Sequence, residues 1–253
     1  MTMGNHVCID IGNTNIHVGI FDGLKLVESS HFSTSEFLPG CSFFKYIPRK
    51  LPVSYCSVVP AAESILLKEM PSGTSFFRLN SSNCGIPISY PNPDEIGPDR
   101  LANSISAYEM SPNFSIIVDV GTATTFDIVS KDDGYKGGVI APGPQGYLDF
   151  LHQNTALLPS ISLPGNLTTQ DKIGKSTKEA MILGVQAGYH SMVSGIIDSI
   201  IDGLPQGAPP PTLFLVGGAS TLLKSLSFEI RPNFTLEGLA IASRKFILEC
   251  YNE

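Results

Sequence analysis

The chain opens on two stretches that alternate apolar and polar residues. HVCIDIGNTN and IHVGIFDGLKLVESSHF share that period and turn at Asp22-Gly23, which predicts two or three antiparallel strands. Residues 35–50 show no usable pattern. VSYCSVV reads as a short strand, and Pro60 opens PAAESILLKEM, whose apolar spacing is helical; proline suits a first helical turn. SFFRLN reads as another strand, and 81–96, rich in Ser, Pro, Asn and Gly, as a loop. GPDRLANSISAYEM places Leu101, Ile105 and Tyr108 on one helical face.

At residue 115 the pattern restarts. SIIVDVGTATTFDIVSKDDGYKGGVIAPG again reads as strand, small-residue turn, strand, Asp-Gly hairpin and strand. Helical spacing follows over about 143–155 and 177–203. GAPPPT (207–212) reads as a stiff linker, LFLVGGAS as a buried strand ending in glycines, and LEGLAIASRKFILE as one closing helix. Ile9-Asp10-Ile11-Gly12-Asn13-Thr14 matches Val118-Asp119-Val120-Gly121-Thr122-Ala123. A repeat at this period predicts two similar α/β lobes, 1–114 and 115–253.

Composition narrows the picture. At 253 residues and 42% hydrophobic, the chain is long enough for one large core or two small ones. With 15% charged residues it lacks the signature of disorder. The net charge of -7 argues against a nucleic-acid surface, so a phosphate site must be built locally. Five cysteines without a CxxC pair support neither a disulfide framework nor a zinc knuckle. No signal peptide and no apolar stretch long enough for a bilayer are read, so the expectation is a soluble, cytoplasmic protein with no membrane partner.

The two turns carry the candidate chemistry. A strand ending in D-x-G-[NT]-[TA] sets a carboxylate at the rim of a sheet. Glycine then lets backbone N–H groups approach a ligand closely. Two such turns, with aspartates positioning a cation, suit a nucleoside triphosphate. One copy alone reads equally well as a capped hairpin; two at matching places favour the phosphate reading. Other motifs fail. IGKST (173–177) resembles the end of a P-loop, but Thr169 stands where glycine is required. Gly143–Gly146 lacks the G-x-G-x-x-G pattern, and the five histidines have no ligand spacing. The Gly-Gly of LVGG (215–218) reads either as a simple turn or as a floor for adenine.

With DIGNTN (10–15), GPDR (97–100), DVGTATTFD (119–127) and GGVIAPG (137–143) in order, the chain resembles the type III pantothenate kinases. These belong to the acetate and sugar kinase, Hsp70 and actin superfamily. Weaker matches are TALLP (155–159), STKEA (176–180) and LVGGAS (215–220). The resemblance implies two ribonuclease H-like lobes, the actin-like ATPase duplication, with an ATP cleft between them. It implies ATP-dependent phosphorylation of pantothenate to 4'-phosphopantothenate, the entry to coenzyme A. It also implies a homodimer, Mg2+ with ATP, and a monovalent cation, K+ or NH4+.

Carried onto this sequence, the resemblance makes Asp99 the base that orients and deprotonates the substrate hydroxyl. GPDR lies where a loop enters a helix, so Gly97, Pro98, Asp99 and Arg100 are expected at the substrate, with Arg100 on its carboxylate. An aspartate favoured by the helix dipole is the alternative for Asp99. Asp10, Gly12, Asn13, Thr14 and Asn15 are expected at the ATP phosphates, as is Thr122, with Asp119 on a cation. Asp127 reads as a supporting carboxylate or a hairpin aspartate. Tyr90 resembles a position near pantothenate, and Thr177 one that reaches the substrate from a partner subunit; packing and helix capping are their alternatives. Two other functions remain open on the residues: a catalytically silent nucleotide-binding regulator, and a kinase of another small hydroxylated acid.

Overall fold

The computed structural model describes residues 4–48, 50–164, 172–218, 223 and 227–251. Thr169 and the Ala219-Ser220 end of LVGGAS lie outside the described residues. Two compact units emerge. One takes Met1–Met110, Asp132–Lys136 and Asn233–Glu253; the other takes Ser111–Lys131 and Gly137–Pro232.

The first unit is built on β1 (Asn5–Ile11), β2 (Asn15–Asp22), β3 (Lys25–Ser33), β4 (Val53–Ser57) and β5 (Phe76–Arg78), in the order β3-β2-β1-β4-β5. The β1–β2 and β2–β3 pairs are antiparallel, and β1–β4 and β4–β5 are parallel. Alternation decides which residues face which layer. Val7, Ile9, Ile11, Ile16 and Val18 pack against α1 (Phe43–Tyr46) and α2 (Pro60–Glu69). Cys8, Phe21 and Cys56 point to the other layer, α3 (Pro98–Met110) and α6 (Phe234–Ala242).

The second unit repeats that order. Its sheet has β6 (Ser115–Val120), β7 (Ala123–Ser130), β8 (Gly134–Pro142, of which Gly134–Lys136 fall in the first unit), β9 (Thr212–Val216) and β10 (Glu229–Ile230), arranged β10-β9-β6-β7-β8. The β6–β7 pair is antiparallel, and β6–β9 and β9–β10 are parallel. Ile116, Val118, Val120 and Phe126 pack on Leu148 of α4 (Pro144–Gln153) and on α5 (Thr177–Asp202).

Four expectations change. The division differs from 1–114 and 115–253, because the C-terminal segment joins the first core. There, a side chain at Gly238 would lie 1.8 Å from the Ala102 carbonyl oxygen, so glycine is what allows α6 to approach α3. The unpatterned stretch 35–50 contains α1, held by aromatic edges: Phe43 meets Phe37 at 4.8 Å and Phe32 at 5.2 Å between centroids. The closing helix is two, α6 and α7 (Arg244–Cys250), divided at Ser243, whose hydroxyl donates to the Leu239 carbonyl (2.8 Å). Finally, α5 is long and apolar enough to cross a bilayer by length and composition, with a mean hydropathy of 1.2 over its most apolar window. One stripe of it, Met181, Val185, Tyr189, Val193 and Ile197, is buried in the second core, the placement of a globular core helix.

Candidate active site

Each sheet brings an aspartate to its edge through the same construction. Asp10 is the second-last residue of β1, and Asp119 the second-last of β6. Both are half-buried. The turn after β1 is closed by the Gly12 N–H donating to the Asn15 carbonyl (3.0 Å). The turn after β6 is closed by the Gly121 N–H donating to the Ala123 carbonyl (2.9 Å). Asn13, Thr14, Asn15 and Thr122 are exposed.

Thr34, which the sequence pattern does not single out, anchors the first turn. Its N–H donates to the Thr14 carbonyl (2.9 Å) and its hydroxyl to the Gly12 carbonyl (2.7 Å). Beneath that turn, β4 places Cys56 directly opposite Asp10. The Cys56 thiol donates to Asp10 Oδ1 (3.3 Å). Burial pushes this thiol well up, helped by the charges of Asp10 and Asp99, so it stays protonated.

Asp99 opens α3, one residue after Pro98, as the loop-to-helix reading expects. Its Oδ1 accepts the Arg100 N–H (2.9 Å). Burial raises its carboxyl above the usual carboxylate range. The backbone N–H groups of Arg100 and Asp99 and the Arg100 charge oppose that rise. Such a group is poised to accept a proton more readily than an exposed aspartate. Beside it, the Arg100 guanidinium lies over the Tyr135 ring, 5.9 Å from its centroid. Tyr90 meets the same ring edge-on, with centroids 5.9 Å apart. Tyr135 is buried and is tied by backbone bonds to Pro87 and Ser89. No local pattern marks it, because its neighbours come from more than thirty residues away.

The first unit therefore gathers Asp10, Gly12–Asn15, Tyr90, Gly97, Pro98, Asp99 and Arg100, while Asp119, Thr122 and Thr177 lie in the second. Around Asp119 the setting differs. β9 sets Val216 opposite it, and Gly217 follows with φ +92. A side chain at Gly217 would lie 2.6 Å from Asp119 Oδ1 and 2.3 Å from the Val120 carbonyl oxygen. Glycine thus lets its backbone approach Asp119 and Val120 more closely than any side chain would allow. Asp127 is buried and accepts from the Thr125 hydroxyl (3.3 Å). Thr177 is exposed at the first position of α5. The cap is Ser176, whose hydroxyl accepts the Glu179 N–H (3.2 Å), so capping does not explain Thr177.

The sequence profile of the type III pantothenate kinases matches residues 6–199. The chain belongs to this family. A type III pantothenate kinase of Desulfosudis oleivorans is 34% identical over 250 residues, spanning 92% of this chain and 96% of that protein. Solved structures support the fold alone. A conserved Baf-family protein from Campylobacter jejuni superposes with a TM-score of 0.61 at 19% identity, covering 95% of this chain and 98% of that one. The activator of 2-hydroxyisocaproyl-CoA dehydratase from Clostridium difficile, solved with bound ADPNP, gives 0.58 at 13% identity, covering 98% and 97%. This member of the type III pantothenate kinase family thus has the actin-like ATPase duplication, and its two sheets of matching order are that duplication in topology. Among the described residues no group of three or more His, Cys, Asp or Glu side chains could hold a metal ion without help from a ligand.

Proposed function

We propose that this chain transfers the γ-phosphoryl group of ATP to the primary hydroxyl of pantothenate, giving 4'-phosphopantothenate for coenzyme A synthesis. One observation carries the reading: a partly buried Asp99 with a raised carboxyl pKa, beside Arg100, in a chain that belongs to the type III pantothenate kinases. Asp99 orients the hydroxyl and takes its proton. Arg100, steadied on Tyr135, pairs with the substrate carboxylate, and Tyr90 packs alongside. Asp10, Gly12, Asn13, Thr14, Asn15 and Thr122 contact the phosphates.

The donors fit hard cations. Asp10 offers carboxylate oxygen for Mg2+, and Asp119 offers carboxylate oxygen for K+ or NH4+. Mg2+, when bound, withdraws charge from the phosphates. A monovalent ion at Asp119 would offset negative charge where neither turn supplies a lysine or arginine.

We further propose a cytoplasmic homodimer. Support comes from α5, whose outer face exposes Gly184, Ala187, Gly188, Ser191 and Gly195, small residues that let a second copy approach. Thr177, exposed at the start of that helix, is then placed to reach a partner's substrate.

The test is a coupled assay with pantothenate, ATP, magnesium and potassium, with the product identified by mass. Transfer to pantothenate, and not to other small hydroxylated acids, is the expected result. Nucleotide binding without transfer to any of them would favour the silent regulator. Replacing potassium by sodium or tetramethylammonium at constant ionic strength should lower the rate sharply; equal rates would remove the role given to Asp119. Sedimentation should find a dimer, and a fully active monomer would remove the partner role of Thr177.

A further inference from the structure

We infer that Cys56 is a positioning residue for Asp10, fixing the carboxylate through an S–H···O bond so that it meets the nucleotide in one orientation. This rests on the proposed kinase function. The two residues are 46 positions apart and meet only because β4 lies parallel to β1 in a register that sets Cys56 against Asp10. The Sγ–Oδ1 distance of 3.3 Å is a normal one for sulfur. Cys56 is fully buried, so its thiol has no solvent to bond and its proton has a defined acceptor.

The second sheet supplies a control within the same chain. There the residue opposite Asp119 is Val216, which has no donor. The fold therefore accepts an apolar side chain at this register position, and a donor under Asp10 is not needed for packing alone. Serine is smaller than cysteine and keeps a donor, so it fits the same place. What the thiol adds is direction: a donor held by a β-strand interior aims at one carboxylate oxygen and restricts the side chain's rotation. A thiol is a weak donor, so the expected contribution is modest.

The experiment compares wild type with Cys56→Ala and Cys56→Ser. Cys56→Ala should weaken binding of Mg2+·ATP, measured calorimetrically without pantothenate, by about 3- to 10-fold, the loss of one weak bond to a charged group. The KM for ATP should rise in parallel, while kcat and the KM for pantothenate stay near wild type. Cys56→Ser keeps a donor and should restore most of the affinity. In the infrared, the S–H stretch lost in Cys56→Ala should lie low in frequency in wild type and move up in Asp10→Asn. Unchanged ATP affinity in Cys56→Ala, an unshifted S–H band in Asp10→Asn, or equal impairment of the Ala and Ser variants would each overturn the inference. Failure of the wild type to phosphorylate pantothenate would instead overturn the function, and the infrared band would still decide the role of Cys56.

Discussion

The two aspartate turns descend from one pattern and are held in different ways. The connection from β1 to β2 has three residues, Gly12–Thr14, and Thr34 bonds it from outside. The connection from β6 to β7 has two, Gly121 and Thr122. Asp10 is flanked across the sheet by His17 on one side and Cys56 on the other. Asp119 is flanked by Thr125 and Val216, with the Gly217 backbone close beside it. The first carboxylate accepts the Cys56 thiol, and no thiol stands opposite the second. Duplication supplied the frame, and the residues one strand away differ between its two copies.

The largest effect should come from the chemistry attached to the first unit alone. Asp99→Asn should lower kcat by about 10²- to 10⁴-fold while leaving ATP affinity intact, since it removes the proposed base and keeps the shape. A rate within a few-fold of wild type would reassign the base. The same variant should melt higher at pH 7. A carboxyl whose folded pKa is raised contributes stability only below its unfolded value and loses it as pH rises, so ionised Asp99 is a cost at neutrality. The gain in melting temperature should shrink as pH falls toward 4.

Next is the histidine beside Asp10. His17 stacks on His31, with centroids 3.8 Å apart, and burial followed by the His31 charge lowers its pKa to about 4. The unfolded chain then takes up a proton that the folded one refuses. Stability should fall as pH drops from about 6.5 to 4, by about 3 kcal/mol at the acid end. His17→Thr, which copies Thr125 of the other turn, should flatten that decline in urea titrations. An unchanged slope would show that His17 is not the group responsible.

Breaking the second turn should cost less in stability and more in ion dependence. Gly217→Ala forces a side chain into a positive-φ site and against two oxygens, a loss of more than about 1 kcal/mol. If Asp119 holds a cation, displacing it in this way should weaken potassium activation; retained activation would detach the cation from Asp119. Thr34→Val removes one hydroxyl bond from the first turn, worth about 1 kcal/mol, and should raise the KM for ATP without changing that for pantothenate. Val216→Cys, which copies the first side, should change least, because it is a small buried swap. A marked gain in ATP affinity there would mean the two turns are interchangeable after all.

The turns themselves were legible in the sequence because their signals are local: alternation, then Asp-x-Gly, then small polar residues. So was the start of α3, where Gly97 and Pro98 precede Asp99. Thr34, Cys56 and Tyr135 were not, because each acts through a partner 20 or more residues away, set by strand register or loop contact. The helix α1 was hidden because aromatic packing, not periodicity, holds its four residues. The break at Ser243 was hidden because the apolar spacing of LEGLAIASRKFILE runs straight through it. The return of α6 to α3 was hidden for a related reason: a repeat in sequence announces where a unit begins, whereas that return is written only in Gly238 and its apolar neighbours.

That return has a consequence for how the chain is made. Phe21, Leu101 and Ile105 belong to the first unit's core, yet so do Phe234, Leu236 and Leu239. During synthesis the second unit has all of its residues available once Pro232 has emerged, while the first still lacks α6. The earliest part of the chain to leave the ribosome is therefore the last to finish folding. Until then, the layer of Cys8, Phe21 and Cys56 stands without its α6 cover and open to mispairing or chaperone capture. A chain ending at residue 232 and released from the ribosome should have a first unit sensitive to protease and a second that is protected.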